Sequence, residues 1–380
     1  MTPRPAKYLA ASLNLSAENE INKTLVRLPA RRGLILFADQ QHRPIQLLMC
    51  ADIRRTARAR LIRHPQLSVK KADISNLCKI IYYTPQDSEF ACRLLYHRLC
   101  RVFFEDQFDD LVLLPHPGFV KLDKHAGLPY FFATETPAWK NEGDEIFGPF
   151  ITRKNAAAFA EALNEAFDLC RNPDCLSSGR YENCPYLQMK TCIGPCRDGK
   201  TPAYYLQAVQ EALDAAAGNY ETHIRHKENE MRQAAARLEY EKARQIRDRI
   251  ECMRELEKPE YCLIRPLRQF CRLHIDRIVG TGKLPSFCAF LITANEVVEL
   301  ESFNMEQVEL FLEKLSLISI PPVKKPVEQM KEHLAEICLF LYRNRKPGLW
   351  LDCPGGCFPN ADKLRHLLQQ TFQANKKDKG

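Results

Sequence analysis

Five cysteines within 27 residues constrain this chain more than any other feature of its sequence. They are Cys170, Cys175, Cys184, Cys192 and Cys196. Thiolates are soft, charged donors that bind zinc or iron–sulfur clusters, and four of them complete a tetrahedral shell. Gly194 and Pro195 let the backbone turn sharply between the last two cysteines. The alternative, a group of buried structural thiols, accounts less well for so many cysteines in so short a stretch.

The expected cellular compartment favours a metal centre over disulfides. The first twenty residues hold no apolar core long enough for a signal peptide, and no apolar run approaches the roughly 20 residues that a membrane span requires. We therefore expect a cytoplasmic protein with no membrane partner, in which thiols stay reduced. Scattered cysteines in apolar surroundings are then predicted to be small core residues: Cys50, Cys78, Cys92, Cys100, Cys288 and Cys338.

The spacing of the cysteines leaves the metal and one ligand open. Five candidates compete for four places, so either Cys170 or Cys175 is expected to be spare. No C-x-x-C pair of the zinc-ribbon type is present, which favours an iron–sulfur cluster and keeps zinc as the alternative.

The rest of the sequence predicts an α+β, multidomain protein. A length of 380 residues suits two or three domains, and the patterns divide the chain into segments 20–105, 106–200, 203–257 and 260–380. The first segment reads as β-β-α-β-α, with strands at 33–38, 45–50 and 79–84 and helices at 52–63 and 88–104. In the second, a helix at 154–169 leads into the cysteines.

The last two segments have different patterns. Residues 203–257 hold one Gly and no Pro, and apolar residues recur at helical spacing over 231–256, so we expect helices that end before Pro259. An ordinary solvated helix or a coiled coil fits that composition equally well. Residues 260–380 are predicted to form an α+β unit, with strands near 261–265, 270–279 and 286–303 and helices near 305–316 and 326–343.

Two stretches resemble the UvrC family, the incision subunit of bacterial nucleotide excision repair. IFGPF at 146–150, then a helix, then FDLC…CPYLQMKTCIGPC is similar to the family's cysteine-rich region. That resemblance implies a [4Fe–4S] cluster on Cys170, Cys184, Cys192 and Cys196, with Cys175 as the alternative to Cys170. The stretch A-x-L-E-Y-E-K-A-x-x-x-R-D-x-I at 236–250 resembles the UVR motif of the same family.

The UVR resemblance implies a helical hairpin that docks the matching hairpin of a UvrB-like helicase. Small alanines permit close helix approach, an aromatic ring supplies an anchor, and a charged pair adds specificity. The residues that match the motif and are expected to contact the partner are Leu238, Tyr240, Glu241, Ala243, Arg247, Asp248 and Ile250, with Ala236 completing the match.

The family's first domain is a GIY-YIG nuclease with the β-β-α-β-α order predicted above. Its chemistry requires a tyrosine on each hairpin strand, an arginine on the first helix and a glutamate on the second helix that holds a divalent metal. Here Ile35 and Leu47 stand at the tyrosine positions and Tyr96 at the glutamate position, while Arg55 or Arg58 could match the arginine. We expect the chain to keep the fold of this domain and to lack its nuclease site. A divalent metal is expected to bind there only if the site is active.

The first helix is nevertheless suited to DNA. Residues 53–71 carry five Arg and two Lys with no acidic residue, and such clustered cations bind phosphates through counterion release. The side chains expected to contact DNA are Arg54, Arg55, Arg58, Arg60 and Arg63. The alternative is an exposed, solvated helix face.

Three hypotheses for the function follow. The first is a UvrC-like factor that binds DNA and a UvrB-like helicase but has lost the nuclease chemistry. The second is a working endonuclease in which Tyr82, Tyr83, Arg58 and Glu89 rebuild the site. The third is a metal-plus-UVR adaptor that acts on a protein partner.

Residues 260–380 do not show the nuclease that the second half of UvrC proteins carries. Asp276 and His274 are present there, but no further Asp completes a two-metal set, so the role of this segment stays open. CPGGC at 353–357 is expected to be a turn.

Overall fold

The structure is a computed structural model that describes residues 3–15, 21–62, 74–122, 124, 127–141, 143–179, 181–189, 191–192, 194–197, 201–278, 285–320, 323–344 and 346–377. Within these ranges the chain has an α+β fold with three four-stranded antiparallel sheets. None of the helices in these ranges combines the length and the apolar character that crossing a bilayer requires.

The first sheet confirms the predicted β-β-α-β-α order. Its unit contains β1 (Ala11–Asn14), α1 (Ile21–Leu25), β2 (Gly33–Ala38), β3 (Pro44–Cys50), α2 (Ile53–Leu61), β4 (Ile80–Pro85), α3 (Glu89–Phe103) and α4 (Phe108–Leu111). The strands are ordered β1-β4-β2-β3. The edge strand β1 and the short helix α1 were not predicted, because their sequences carry no clear hydrophobic period.

Strand β2 is buried along its whole length because helices cover both faces of the sheet. Leu34 and Leu36 pack towards α3 on one face, while Ile35 and Phe37 pack towards α2 on the other. This division follows from the strand period, which sends successive side chains to opposite faces. The first unit therefore has two small cores, one on each side of the sheet.

The second sheet belongs to the middle of the chain. Its unit contains β5 (Gly118–Leu122), β6 (Phe131–Thr134), β7 (Glu145–Phe150), α5 (Arg153–Ala166), α6 (Pro173–Ser178) and α7 (Pro185–Gln188). Asn164 fastens α5 to β6, since its amide accepts from the backbone of Phe131 at 3.0 Å and donates back to it at 2.8 Å. The predicted helix at 154–169 is thus present, and it ends where the cysteine region begins.

Residues 203–257 are helical, as the sequence predicts. They form α8 (Ala203–Asp214), α9 (Tyr220–Ala236) and α10 (Tyr240–Arg254). Gly218 interrupts the first two helices with a φ of 117°, a conformation that glycine adopts without strain. A three-residue turn separates α9 from α10, which pack against each other as an antiparallel hairpin.

The third sheet contains most of the C-terminal segment. Its unit comprises β9 (Cys271–Ile278), β10 (Ser286–Thr293), β11 (Val297–Asn304), α11 (Val308–Ser316), α12 (Val327–Leu341), β12 (Leu349–Asp352) and α13 (Ala361–Lys377), and β8 (Arg265–Pro266) extends the second sheet beside β7. The strands are ordered β11-β10-β9-β12.

Two strand predictions in this segment were wrong. Residues 261–264 form turns rather than a strand, because the backbone of Tyr261 bonds to Lys258 at 2.8 Å and that of Ile264 bonds to Tyr261 at 3.0 Å. Their apolar side chains serve as buried anchors of a turn. The predicted strand at 286–303 is a hairpin, since the hydroxyl of Thr293 accepts from the backbone of the following turn.

Phe90, at the start of α3, joins the first unit to the C-terminal unit. Its buried ring makes edge contacts with four rings of that unit: His274 at 4.9 Å, Phe290 at 5.3 Å, Phe340 at 4.9 Å and Trp350 at 5.4 Å between centroids. Beside it, the hydroxyl of Ser88 donates to Asp276 at 2.5 Å. The N-terminus of α3 is therefore part of the C-terminal core.

We expect Phe90→Ala to lower the free energy of unfolding by about 3–5 kcal/mol, because it removes a fully buried aromatic ring and leaves a cavity between two units. Urea denaturation followed by circular dichroism measures the loss. Leu113→Ala is the matched control, since that side chain is 82% exposed and its removal should change stability by less than about 0.5 kcal/mol. Equal losses in the two variants would contradict the role of Phe90.

Candidate functional site: a cysteine cavity beside a helical hairpin

The fold gathers the clustered cysteines around one small cavity, which lies between the segment that follows α5, helices α6 and α7, and the loop after α7. All five line it: Cys170, Cys175, Cys184, Cys192 and Cys196. The wall also includes Leu128, Tyr186 and Pro195. Cys170 and Cys196 pack in addition against the core of the middle unit. Residues that lie up to 26 positions apart in the sequence thus share one site.

Local structure explains how the individual cysteines reach the cavity. The backbone N–H of Cys170 donates to the hydroxyl of Tyr205 at 3.0 Å, and that hydroxyl donates to the carbonyl of Pro129 at 2.6 Å. Cys184 caps α7, whose first residue is a proline. Gly194 has a φ of +71° and donates its N–H to the sulfur of Cys192 at 3.4 Å, which turns the chain back towards Cys196.

The thiols of this cavity influence one another. Burial, the main cause, raises the pKa of Cys170 to about 11, and the charges of Cys196, Cys192 and Cys184 add to the increase. Burial also raises the pKa of Cys196, again with contributions from Cys192 and Cys184. Cys175 interacts within this set with Cys184. All five thiols therefore lie close enough to act on at least one other thiol of the cavity.

The residue type that lines the cavity is the one that binds zinc and iron–sulfur clusters in proteins. No group of three His, Cys, Asp or Glu side chains in the described ranges already has the geometry of a metal-ion site, so the fit rests on the chemistry of the donors. Binding a cation requires these thiols to lose their protons, and the positive charge of the cation then offsets the mutual repulsion of the resulting thiolates. The structure brings all five cysteines together, so the choice of Cys170 over Cys175 as the fourth ligand stays a prediction.

The helical hairpin lies directly behind this cavity. Ile246, Ile250 and Met253 of α10 are buried in the core that they share with α5. The carboxylate of Asp168, two residues before Cys170, forms an ion pair with Arg249 of α10 at 2.5 Å. The cysteine region and the hairpin are consequently packed as neighbours.

The predicted docking residues divide into an exposed group and a packed group. Leu238 and Tyr240 at the tip of the hairpin are 70% and 68% exposed. The exposed charged residues that follow them form short ion pairs along α10: Glu241 with Arg244 at 3.1 Å and Arg247 with Asp248 at 3.4 Å. Ala243 is half-buried, and Ile250 is only 3% exposed and packs in the core. The two packed residues hold the hairpin together, which leaves the tip and the charged face accessible.

Core residues occupy the positions in the first unit at which the resemblance places nuclease residues. Ile35 and Leu47 are buried on opposite faces of the sheet, one in each small core. Tyr96 is half-buried, and burial together with its hydrogen bond to Cys100 raises its pKa. Hydrophobic side chains cannot activate water, and a neutral tyrosine is a poor ligand for a divalent metal.

The alternative nuclease residues are not gathered at one place. Tyr82 and Tyr83 are successive residues of β4 and belong to the cores on opposite faces of the sheet. Glu89 lies at the interface with the C-terminal unit, where it pairs with Arg343 at 2.7 Å. Arg58 is exposed on α2, which covers only the face that Tyr83 shares. A site rebuilt from all four residues has no common surface in this structure.

The basic face of α2 is largely available to solvent. Arg55 and Arg58 are exposed, and Arg60 is half-buried. Arg54 is held by the fold, since its Nε donates to the carbonyl of Leu28 at 2.7 Å. Arg63 lies outside the described residues. The helix begins at the predicted cap, where Asp52 accepts from the backbone of Arg55 at 2.8 Å.

Asp276 and His274 in the C-terminal unit are buried interface residues. His274 lies between the rings of Phe290 and Trp350 and bonds to Asp276 at 3.2 Å. Their third partner is Ser88 of the first unit, which the sequence could not indicate because 188 positions separate it from Asp276. CPGGC forms the expected turn, although Cys353 contacts the backbone of Cys271, a neighbour that the sequence had not suggested.

Fold and site together define a class of protein in which a cysteine-rich α+β unit carries an exposed helical hairpin. Residues 119–215 match the UvrC/Cho excinuclease middle domain, and residues 221–256 match the UvrB/uvrC motif. The chain thus contains these two UvrC elements, and it is distantly related to UvrC proteins over most of its length.

Several curated proteins named UvrABC system protein C are similar to this chain. That of Syntrophomonas wolfei is 25% identical over 295 residues, which are 76% of this chain and 47% of that protein. That of Porphyromonas gingivalis is 24% identical over 250 residues, 64% of this chain and 41% of that protein. The chain therefore spans less than half the length of these relatives. No solved structure is a significant match.

We expect Cys170→Ser to weaken metal binding strongly and Cys175→Ser to leave it nearly unchanged, because Cys170 packs with Cys196 against the core of the middle unit. A serine hydroxyl cannot replace a thiolate in a tetrahedral sulfur shell. Anaerobic titration with Co²⁺ measures the effect, because sulfur-to-cobalt absorption grows with the number of thiolate ligands. The reverse order of the two variants would assign the fourth place to Cys175.

Proposed function

We propose that this chain is a UvrC-like protein of nucleotide excision repair that binds DNA and docks a UvrB-like helicase, and that does not cut DNA through its first unit. The observation that carries the proposal is the combination of the UvrC/Cho middle domain with a UVR hairpin whose tip is exposed. The first unit supports the second half of the proposal, since its nuclease positions hold buried apolar residues.

The cysteine cavity is proposed to hold a [4Fe–4S] cluster, with zinc as the alternative. Cys170, Cys184, Cys192 and Cys196 would bind it, and the bound group would supply a rigid four-point link between stretches of chain that otherwise meet only through small side-chain contacts. Tyr205 orients the first of these cysteines through its backbone hydrogen bond. The role is structural, because the cavity lies between the core and the base of the hairpin.

DNA is proposed to contact the basic face of α2. The exposed guanidinium groups of Arg55 and Arg58 can reach phosphate oxygens without breaking a contact of the fold. Each phosphate that they neutralise releases a counterion, so binding must weaken as salt increases. A cytoplasmic location is part of the same proposal.

We expect the double variant Arg55→Ala/Arg58→Ala to bind duplex DNA more weakly than the unmodified chain. It should also flatten the dependence of log K on log salt by about 2, since each lost phosphate contact contributes about 0.9 to the slope. Fluorescence anisotropy at several salt concentrations measures both quantities. The matched control is Arg153→Ala/Arg232→Ala, which removes two exposed arginines elsewhere.

Equal slopes in the two double variants would contradict DNA binding by α2. Salt-independent retention of DNA, or none at all, would favour the adaptor hypothesis instead. A plasmid incubated with Mg²⁺ or Mn²⁺ should stay intact. Nicking that Arg58→Ala abolishes would establish the endonuclease hypothesis, which the present geometry does not favour.

The hairpin tip is proposed to be the anchor for the helicase. We expect Tyr240→Ala to weaken binding of a UvrB-like helicase by at least about tenfold, because a central aromatic anchor at an interface contributes about 2 kcal/mol or more. Calorimetry against the helicase's own UVR segment measures the loss. The change should not unfold the chain, since the side chain is 68% exposed.

Leu317→Ala is the control for the docking test, because that leucine is 85% exposed in the C-terminal unit and far in sequence from the hairpin. The Leu317→Ala variant should bind the UVR segment of the helicase with the affinity of the unmodified chain. An unchanged affinity for Tyr240→Ala would show that the tip does not form the interface.

A further inference from the structure

Arg171 follows Cys170 directly and lines the cysteine cavity. Its side chain is 15% exposed, which is unusual for an arginine without a structural or functional task. The planar guanidinium makes three contacts at once. One nitrogen donates to the carbonyl of Thr191 at 2.7 Å, another pairs with Glu165 at 3.6 Å, and the plane lies 4.5 Å from the centre of the Tyr186 ring.

These three partners come from separate stretches that carry the cysteines. Glu165 lies in α5, before Cys170. Tyr186 lies in α7, two residues after Cys184, and Thr191 directly precedes Cys192. One side chain thus ties the segment of the first cysteine to the segments of the second and third.

We propose that Arg171 is the positioning residue of the cysteine centre, which holds Cys170 against Cys184 and Cys192 so that their thiolates converge on one metal. The proposal rests on the proposed metal binding and goes beyond it, because it assigns the assembly of the ligand set to a residue that is not itself a ligand. Groups around a metal site that orient its ligands commonly change affinity by about 10–100-fold.

Arginine is the residue type that these contacts require. Its guanidinium offers two donors in a fixed plane and a flat face for an aromatic ring, whereas the lysine ammonium is a single point on a flexible stem. The positive charge also lies beside thiolates that repel one another. The effects of geometry and charge can be measured separately, since Arg171→Lys keeps the positive charge and removes the planar pair of donors.

Glu165 extends the same set of contacts to the hairpin. Its carboxylate interacts with the thiol of Cys252 in α10, where it contributes to the raised pKa of that thiol. Helix α10 also packs against α5 in the core that the two helices share. Arg171 therefore pairs with a residue of a helix that the hairpin holds in place.

The test compares the full chain with Arg171→Met, Arg171→Lys and Arg197→Met. Arg197 follows Cys196, is exposed and also acts on a cysteine through its charge, so its variant controls for the loss of one cation beside the cavity. Each protein is titrated with Co²⁺ under anaerobic conditions, and the bound metal is then challenged with a chelator. The sulfur-to-cobalt absorption measures the number of thiolates bound to Co²⁺, and the competition with the chelator measures the affinity of the chain for Co²⁺.

We expect Arg171→Met and Arg171→Lys to lose about 10–100-fold in affinity and part of the sulfur-to-cobalt absorption, while Arg197→Met behaves as the unmodified chain does. Metal binding by both Arg171 variants at the unmodified affinity would overturn the proposal. Retention by Arg171→Lys alone would overturn it as well, because charge rather than the planar fork would then suffice.

Two further outcomes keep this inference distinct from the proposed cofactor. An unmodified chain that takes up neither Co²⁺ nor iron would refute the metal centre itself. If Arg171→Met does not fold, as judged by circular dichroism, Arg171→Lys decides the question. Full binding by that variant then contradicts the role of Arg171, and weak binding by a folded chain supports it.

Discussion

The turn by which the chain leaves α5 is the constraint on which the centre of this molecule depends. Asp168 adopts a φ of +53° there, an uncommon conformation that aspartate tolerates better than most residues. Arg249 of α10 pairs with its carboxylate at 2.5 Å. Two residues later, Tyr205 of α8 holds the backbone of Cys170. The cysteine cavity and the hairpin are thus positioned by one short segment.

The first unit is held together by two small apolar cores. Its sheet is covered on both faces, and the residues at the positions where the resemblance places nuclease groups belong to the cores. Burial of apolar side chains stabilises the sheet, whereas a hydrated site there would require polar groups and access for water. Phe90 and Ser88 anchor the start of α3 in the C-terminal unit. These features support a binding role for the unit rather than hydrolysis.

Local patterns in the sequence predicted the elements whose signals are local. The sequence predicts strand β2 and helix α3 to within about a residue of their ends, since β2 is a continuous apolar run and α3 has a helical hydrophobic period and a serine cap. The number of cysteines within a short stretch predicted that they would share one site. The predictions failed where distant contacts determine the structure. Residues 261–264 form an anchored turn rather than a strand, and β12 forms by pairing with β9. The bond between Ser88 and Asp276 has no local signal at all.

Leu238 gives the docking proposal a physical basis that is independent of motif comparison. It has a φ of +62°, a region that costs a residue with a Cβ about 1 kcal/mol or more and that glycine or asparagine would occupy more easily. It is also 70% exposed, so burial within this chain does not offset that cost. A bulky apolar side chain at such a turn is stabilised most when the surface of a partner buries it. Tyr240, two residues away and equally exposed, would be covered by the same partner.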